Sequence, residues 1–444
     1  MKKFFAVLLT MAILSTLFAG CGSESSQPST AAPTEASAQP ASGDAKEITI
    51  EYWQYAYESK VKLVDELIPE FEAANPGIKV VHKTFPYADY EQKLAAELAA
   101  AATTGEGPNI INMFYGWVPK YVKSGVLSSL PESFAKDIEE NFTPMAQINK
   151  IEGEYYTIPT AVRATALFYN KTLLDEAGIA IEDIPTELMA WAQMASDLAK
   201  WNGDTLEVAG CTWQPDGQYH SWVRPVLMTQ FGGTPLSEDG KTASWNSPEC
   251  LEAFKFFIGL NTDLKVGVKN FYTDDVTAFS SGKAYFHVDG SYRLGTLRSS
   301  VSDFEWGVME LPAYNGNKGS FGSFWTNGIT ALTQSDPDKY DASLKFLEFL
   351  ASEKVMERWT EEVGEIGARK SIADNETFQS DPTLKPFLSA LEYATSYFYV
   401  DESADRQIML DAIDEVILNG KDPETALNEA NTKVQALLDE FWLD

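Results

Sequence analysis

The sequence predicts an α/β protein, a mostly parallel sheet flanked by helices. Two observations predict it: strand-like and helix-like hydrophobic periods alternate from residue 47 onward, and 44% of the 444 residues are hydrophobic, 55 of them aromatic, which is ample for real cores. At roughly 100–200 residues per domain, this length implies two or three domains.

The elements follow in order. Ile48-Thr49-Ile50-Glu51-Tyr52-Trp53 alternates like a strand. Val61, Val64, Leu67, Ile68 and Phe71 then recur at helical spacing, with Pro69 set to kink that helix, and Asn75-Pro76-Gly77 forces a turn. Ile78 to Lys83 is a second strand, Tyr90 to Ala102 a helix, and Asn109 to Phe114 a third strand. A βαβαβ order places parallel strands under helices on both faces. Further on, Thr186 is placed to cap a helix striped by Leu188, Trp191, Ala195 and Leu198. Asp422 and Pro423 open a last helix, striped by Leu427, Ala430, Val434, Leu437, Leu438 and Phe441.

The first 46 residues read differently. Lys2 and Lys3 precede an apolar run from Phe4 to Phe18, followed by Ala19, Gly20 and Cys21: the parts of a secretory signal, too short for a stable membrane span. Leu17-Phe18-Ala19-Gly20-Cys21 resembles a bacterial lipobox, in which the cysteine carries lipid; the plainer reading is an ordinary cleaved signal that contains a cysteine. Residues 1–20 are thus expected to be a lipoprotein signal peptide, and 21–46 a lipidated Cys21 with a disordered linker. Of residues 22–46, 19 are Gly, Ser, Ala, Pro or Thr, too few apolar groups to offset ordering entropy. As a random coil that stretch reaches about 25–30 Å.

Charge and composition exclude several classes. Thirty-four Lys and Arg stand against 65 Asp and Glu, a formal charge of -31, which repels nucleic-acid phosphates. No nucleic-acid partner is expected. With three cysteines and no CxxC pair there is neither a disulfide scaffold nor a zinc site. Cys211 and Cys250 are open to a disulfide or to a buried reduced role, and the reduced role is expected. His82, His220 and His287 are the only histidines, and HExxH, GxSxG, a dinucleotide loop and a phosphate loop are all missing. No catalytic residue, cofactor or metal is therefore expected.

Aromatic residues sit where a parallel sheet ends: Trp53-Gln54-Tyr55, Phe85-Pro86-Tyr87 and Phe114-Tyr115-Gly116-Trp117. Ligands of open α/β sheets bind outside the carboxyl ends of the strands, so these rings would surround one crevice, or else cap the core. Flat rings with polar edges suit the C–H faces and hydroxyls of sugars.

Several blocks then resemble one family in the right order: Phe71-Glu72-Ala73-Ala74-Asn75-Pro76-Gly77-Ile78, Gly107-Pro108-Asn109-Ile110 with Asn where Asp is usual, Ser124-Gly125-Val126-Leu127, Tyr156-Thr157-Ile158-Pro159, Leu167-Phe168-Tyr169-Asn170-Lys171, Phe279-Ser280-Ser281-Gly282-Lys283-Ala284 with Asp289-Gly290-Ser291-Tyr292, and Gly307-Val308-Met309-Glu310-Leu311-Pro312. Residues 47 to 444 resemble extracellular solute-binding proteins of the carbohydrate, maltodextrin-binding-like family, receptors of ABC sugar importers.

That resemblance implies a two-lobed periplasmic-binding-protein fold with hinge crossovers: residues 47–160 plus 309–375 as lobe one, 163–306 plus 378–444 as lobe two. It implies a carbohydrate ligand, an oligosaccharide, held by Trp53, Gln54, Tyr87, Asp89, Tyr115 and Trp117 from the first lobe and by Arg163, Trp213, Trp222, Arg224, Asp289 and Tyr292 from the second. Trp325, in the loop Gly322 to Asn327, adds a large ring where the family has small residues. His220 is expected to be a satisfied, partly buried histidine rather than a ligand contact. For Arg163, Arg224 and Arg293 the alternatives are internal salt bridges or an anionic sugar. The implied partners are ABC transporter permease subunits and, through lipid, the outer face of the bacterial cytoplasmic membrane; the chain is expected to be monomeric. A lipid-anchored glycosidase and a scaffold that kept the fold are the competing readings.

Overall fold

The structure, a computed structural model, describes residues 47–443, so the expected signal peptide, Cys21 and the linker lie outside the described residues. β1 (Ile48–Ala56), β2 (Ile78–Pro86) and β3 (Ile110–Phe114) alternate with the helices Glu58–Ala74 and Tyr87–Thr104 as the periodicity requires. A small hairpin, β4 (Lys150–Ile151) with β5 (Glu154–Tyr155), leads into β6 (Thr157–Arg163) and β7 (Thr165–Asn170). Then come β8 (Lys200–Asn202), β9 (Thr205–Cys211), β10 (Ala284–Gly290) and β11 (Trp306–Met309). β12 (Ser320–Phe321), β13 (Ser323–Ile329), β14 (Ile366–Gly367) and β15 (Ala394–Thr395) complete the set.

Two sheets result. One runs β14-β6-β13-β3-β1-β2, the other β11-β7-β10-β9-β8. The expectation of mostly parallel sheets needs correction. β1 is parallel to β2 and β3, and β10 to β9, but β13 is antiparallel to β3 and β6, β14 to β6, and β7 to β10 and β11. The antiparallel strands of the first sheet arrive after excursions into the second, and the direction of a returning strand leaves no trace in its own period.

Short crossings join the sheets. Only Ala164 separates β6 in the first from β7 in the second. A second crossing falls between β11 and β13, and its β12 pairs in parallel with β15. Ser320 Oγ accepts from Thr165 N at 3.0 Å, tying the crossings together.

Alternation along β1 divides the first sheet's packing. Ile50 and Tyr52 join the main core with Leu63, Leu67 and Phe346. Trp53 and Tyr55 face the other way, into a second cluster with Tyr90, Leu94, Trp117 and Trp325. Pro69 lies inside the unbroken helix Glu58–Ala74 on its exposed side, where the missing N–H faces water.

Caps decide two helix starts. Thr186 does not cap its helix: Glu187 does, with Oε2 accepting from Met189 N and Ala190 N at 2.9 and 3.0 Å, while Thr186 O accepts from Ala313 N. Asp422 caps Pro423–Trp442 as expected, accepting from Thr425 N at 2.9 Å. Cys211 and Cys250 are both buried and free.

Candidate functional site

A cavity of about 270 Å³ opens beyond the carboxyl ends of β2 and β3. From the first sheet it is lined by Tyr87, just past β2, Phe114 at the end of β3, Trp117 in the turn that follows, Arg163 at the end of β6 and Trp325 on β13. Facing them are His220 and Ser221 from an irregular segment, Tyr399, and Glu402 and Arg406 in the first turns of the helix Glu402–Asn419. A larger hollow of about 460 Å³, among Ile148, Pro225, Leu236 and Trp442, has Phe398 stacked on Trp442, but its charged lining residues Lys150, Glu238 and Asp239 are exposed. Convergent aromatic and buried polar groups single out the smaller cavity.

Trp325 is the centre of the aromatic wall. Its ring lies 4.1 Å from that of Tyr55, 5.4 Å from Trp117 edge to face, and 6.2 Å from Tyr87. The edge-to-face meeting with Trp117 is an arrangement that aromatic quadrupoles favour.

Charged groups support this wall from below. Glu365, 2% exposed, accepts from Arg163 Nε at 2.5 Å and pairs with Lys60 Nζ at 2.8 Å, while Trp359 Nε1 donates to it at 3.1 Å. Tyr55 OH accepts from Lys60 Nζ at 2.5 Å and from Arg163 Nη2 at 3.1 Å. Burial alone would raise the Glu365 carboxyl, but Arg163 and Lys60 hold it at about 2. Burial lowers Lys60 to about 7, against the pull of Glu365. The Arg163 guanidinium also sits 4.6 Å over the Tyr292 ring of the opposite side.

The facing wall has its own buried ion pair. Arg224 is fully buried, pairs with Asp405 and donates from Nη2 to His220 Nδ1 at 2.6 Å. Burial, then Arg224 and Arg406, hold the His220 ring well below its ordinary value, so it is neutral at pH 7. Two contacts tie the walls at one end of the cavity: Ser403 Oγ donates to Glu91 Oε2 at 3.1 Å, and Lys120 Nζ to Asp401 Oδ2 at 3.0 Å.

Of the residues expected at the site, Tyr87, Trp117, Arg163 and Trp325 come together around the cavity. The others lie elsewhere. Trp53 is packed on Phe85 and donates to Glu51, and Gln54 is buried against His82. Tyr115 is stacked on Phe324 and bonded to the Tyr397 backbone, and Asp89 is exposed in the first turn of its helix. Trp213 stacks on Phe257 and donates to its carbonyl, Trp222 meets Trp191, Tyr219 and Phe257 edge on, and Arg224 serves its ion pair. Asp289 accepts from Tyr292 OH and Arg293 Nε, both at 2.6 Å. Trp325 belongs to a strand rather than a loop.

The sequence reading missed Glu91, Ser221, Tyr399, Glu402 and Arg406 as cavity residues and passed over Glu365. Only the Asp401 N-cap, opening a helix whose first turn brings Glu402 to the cavity, left a local sign.

Comparisons with known proteins agree on the fold. Residues 66–386 match the profile of the family described as bacterial extracellular solute-binding protein. A maltotriose-binding protein of Pyrococcus abyssi is 23% identical over 77% of this chain and 71% of its own length. Among solved structures, the ABC substrate-binding protein Lmo0181 of Listeria monocytogenes, in complex with cycloalternan, superposes with a TM-score of 0.75 at 22% identity, covering 88% of this chain and 99% of that one. UgpB of Mycobacterium tuberculosis, in complex with glycerophosphocholine, gives 0.75 at 19% identity over 88% and 98%.

Proposed function

We propose, from the premise that this chain belongs to the bacterial extracellular solute-binding protein family, that it binds a carbohydrate in the cavity beside Trp325 and Trp117 and delivers it to the permease of an ABC importer. One observation carries the reading: a wall of interlocked rings, Trp325 and Trp117 with Tyr87, stands opposite a polar wall of His220, Ser221, Tyr399, Glu402 and Arg406. Apolar C–H faces stack on the first while hydroxyls bond to the second. The maltotriose-binding relative and the cycloalternan complex support the same ligand class.

In this reading binding is the whole function and no bond is made or broken. The lobes, about 47–160 with 309–375 and about 163–306 with 378–444, hinge on the crossings at Ala164 and at β12–β15, and a ligand touching both walls stabilises the closed state. Cys21, lipidated, would hold the body near the membrane by its linker, as a monomer.

A second reading has one observation in its favour. Arg163 and Arg406 both reach the cavity, and a neighbour of the same fold holds a phosphodiester, so an anionic ligand is the competitor. Thermal shift with a panel of mono- and oligosaccharides beside glycerol phosphates tests both, since a ligand of the folded state alone raises Tm. A rise with sugars that persists at high salt supports the first reading. A rise confined to the phosphates and abolished by salt overturns it.

A further inference from the structure

His220 carries chemistry that the aromatic wall does not. It is 6% exposed and lines the cavity, yet every hydrogen bond it makes from the ring goes through Nδ1: to Arg224 Nη2 at 2.6 Å and to Ser221 Oγ at 3.3 Å. A guanidinium only donates, so Nδ1 accepts, and a neutral imidazole then carries its proton on Nε2. Nε2 has no protein partner among the described residues, and the ring that carries it lines the cavity. Arg224, whose charge is matched by Asp405, is itself clamped among the rings of Tyr399, Tyr397 and Trp245 at 5.3 to 5.8 Å.

We propose that His220 donates a hydrogen bond from Nε2 to a ligand oxygen, and that Arg224 and Asp405 are positioning residues that fix its tautomer. The proposal rests on the carbohydrate reading only for the identity of the acceptor, a hydroxyl or ring oxygen. Arg224 then acts on the ligand through His220 rather than by touching it, which accounts for a fully buried arginine beside the binding wall. The ionisable groups around the imidazole are Arg224 on its own segment, Asp405, Glu402 and Arg406 on the helix Glu402–Asn419, and Tyr399. The two arginines oppose protonation of the ring, so it stays a neutral donor through ordinary pH.

Two measurements on the full chain test this. The first needs no ligand: two-bond ¹H–¹⁵N correlation of labelled histidine reads the tautomer directly. A neutral His220 protonated on Nε2 from pH 5.5 to 8, losing that single tautomer in Arg224→Met, is expected; a proton on Nδ1, or a cationic ring at pH 7, overturns the proposal. The second is calorimetry with maltotriose. His220→Leu is expected to bind roughly tenfold more weakly, the loss of one hydrogen bond. His220→Gln, whose amide donates from a similar place, should recover most of the loss. Binding by His220→Leu equal to that of the unaltered chain overturns the proposal. If maltotriose does not bind the unaltered chain, that counts against the carbohydrate reading, and the tautomer measurement alone decides the role of His220.

Discussion

At the scale of single residues, the site separates into side chains that line the cavity and side chains that hold them. Trp325 lines it, 5% exposed at the centre of the ring cluster. Trp325→Ala is expected to weaken sugar binding by about thirtyfold, equivalent to ~2 kcal/mol, in a calorimetric titration. Trp222→Ala should instead act on folding, because Trp222 lies in the core against Trp191 and Phe257. Glu365 is the holder. Replacing it with Gln leaves Lys60 and Arg163 buried without their carboxylate, and the urea midpoint should fall by an amount worth about 3–5 kcal/mol. In the unaltered chain, Glu365 ionises at about 2 when folded against an ordinary 4.5. The unfolded state binds the extra proton first, so stability is full above the ordinary value and is lost as pH falls from about 4.5 towards 2. Acid titration followed by circular dichroism should show that loss, and Glu365→Gln should lose less of its remaining stability across the same window.

At the scale of elements, close approach matters more than propensity. Gly210 on β9 lies against the backbone of the helix Leu188–Leu198, where an added Cβ would fall 1.7 Å from Ala195 O. Neither partner is a flexible side chain, so Gly210→Ala must push helix and strand apart. The expected result is a thermal midpoint lower by more than the 1–3 kcal/mol typical of overpacking, or no soluble protein. The corrected helix cap teaches the same lesson. Glu187 replaces Thr186 as cap because the Thr186 carbonyl is drawn into a bond with Ala313, a residue more than a hundred positions away.

At the scale of the whole molecule, Ser403–Glu91 and Lys120–Asp401 join the two sides of the cavity at one end, and Tyr57 OH reaches Thr296 Oγ1 at 3.5 Å elsewhere. Phe114 and Tyr115 also meet the Tyr399 ring, at 6.5 and 5.9 Å, and Arg163 lies over Tyr292. If the lobes hinge as proposed, small-angle scattering with a saturating sugar should show a smaller radius of gyration than without it, and an unchanged radius with proven binding would count against a hinge. The anchor is tested apart from the fold: Cys21→Ser should move the protein from the membrane fraction to the soluble one, and retention on membranes would sink the lipid reading.

The sequence by itself determined what is local: the periods of β1 to β3 and their helices, the cap at Asp422, the rings at the strand ends, and the ordered family blocks. These depend on neighbours a few residues apart, whose spacing is written in the chain. Which rings line the cavity was decided by tertiary structure. Trp213 and Trp222 look like Trp117 in sequence, yet Phe257 and Trp191 cover them, while Trp117 keeps an edge on the cavity. Arg163 finds Glu365 across 202 positions, and Arg224 finds Asp405 on a helix that the sequence places far from it. Burial and charge pairing belong to distances in space, which a linear pattern does not contain.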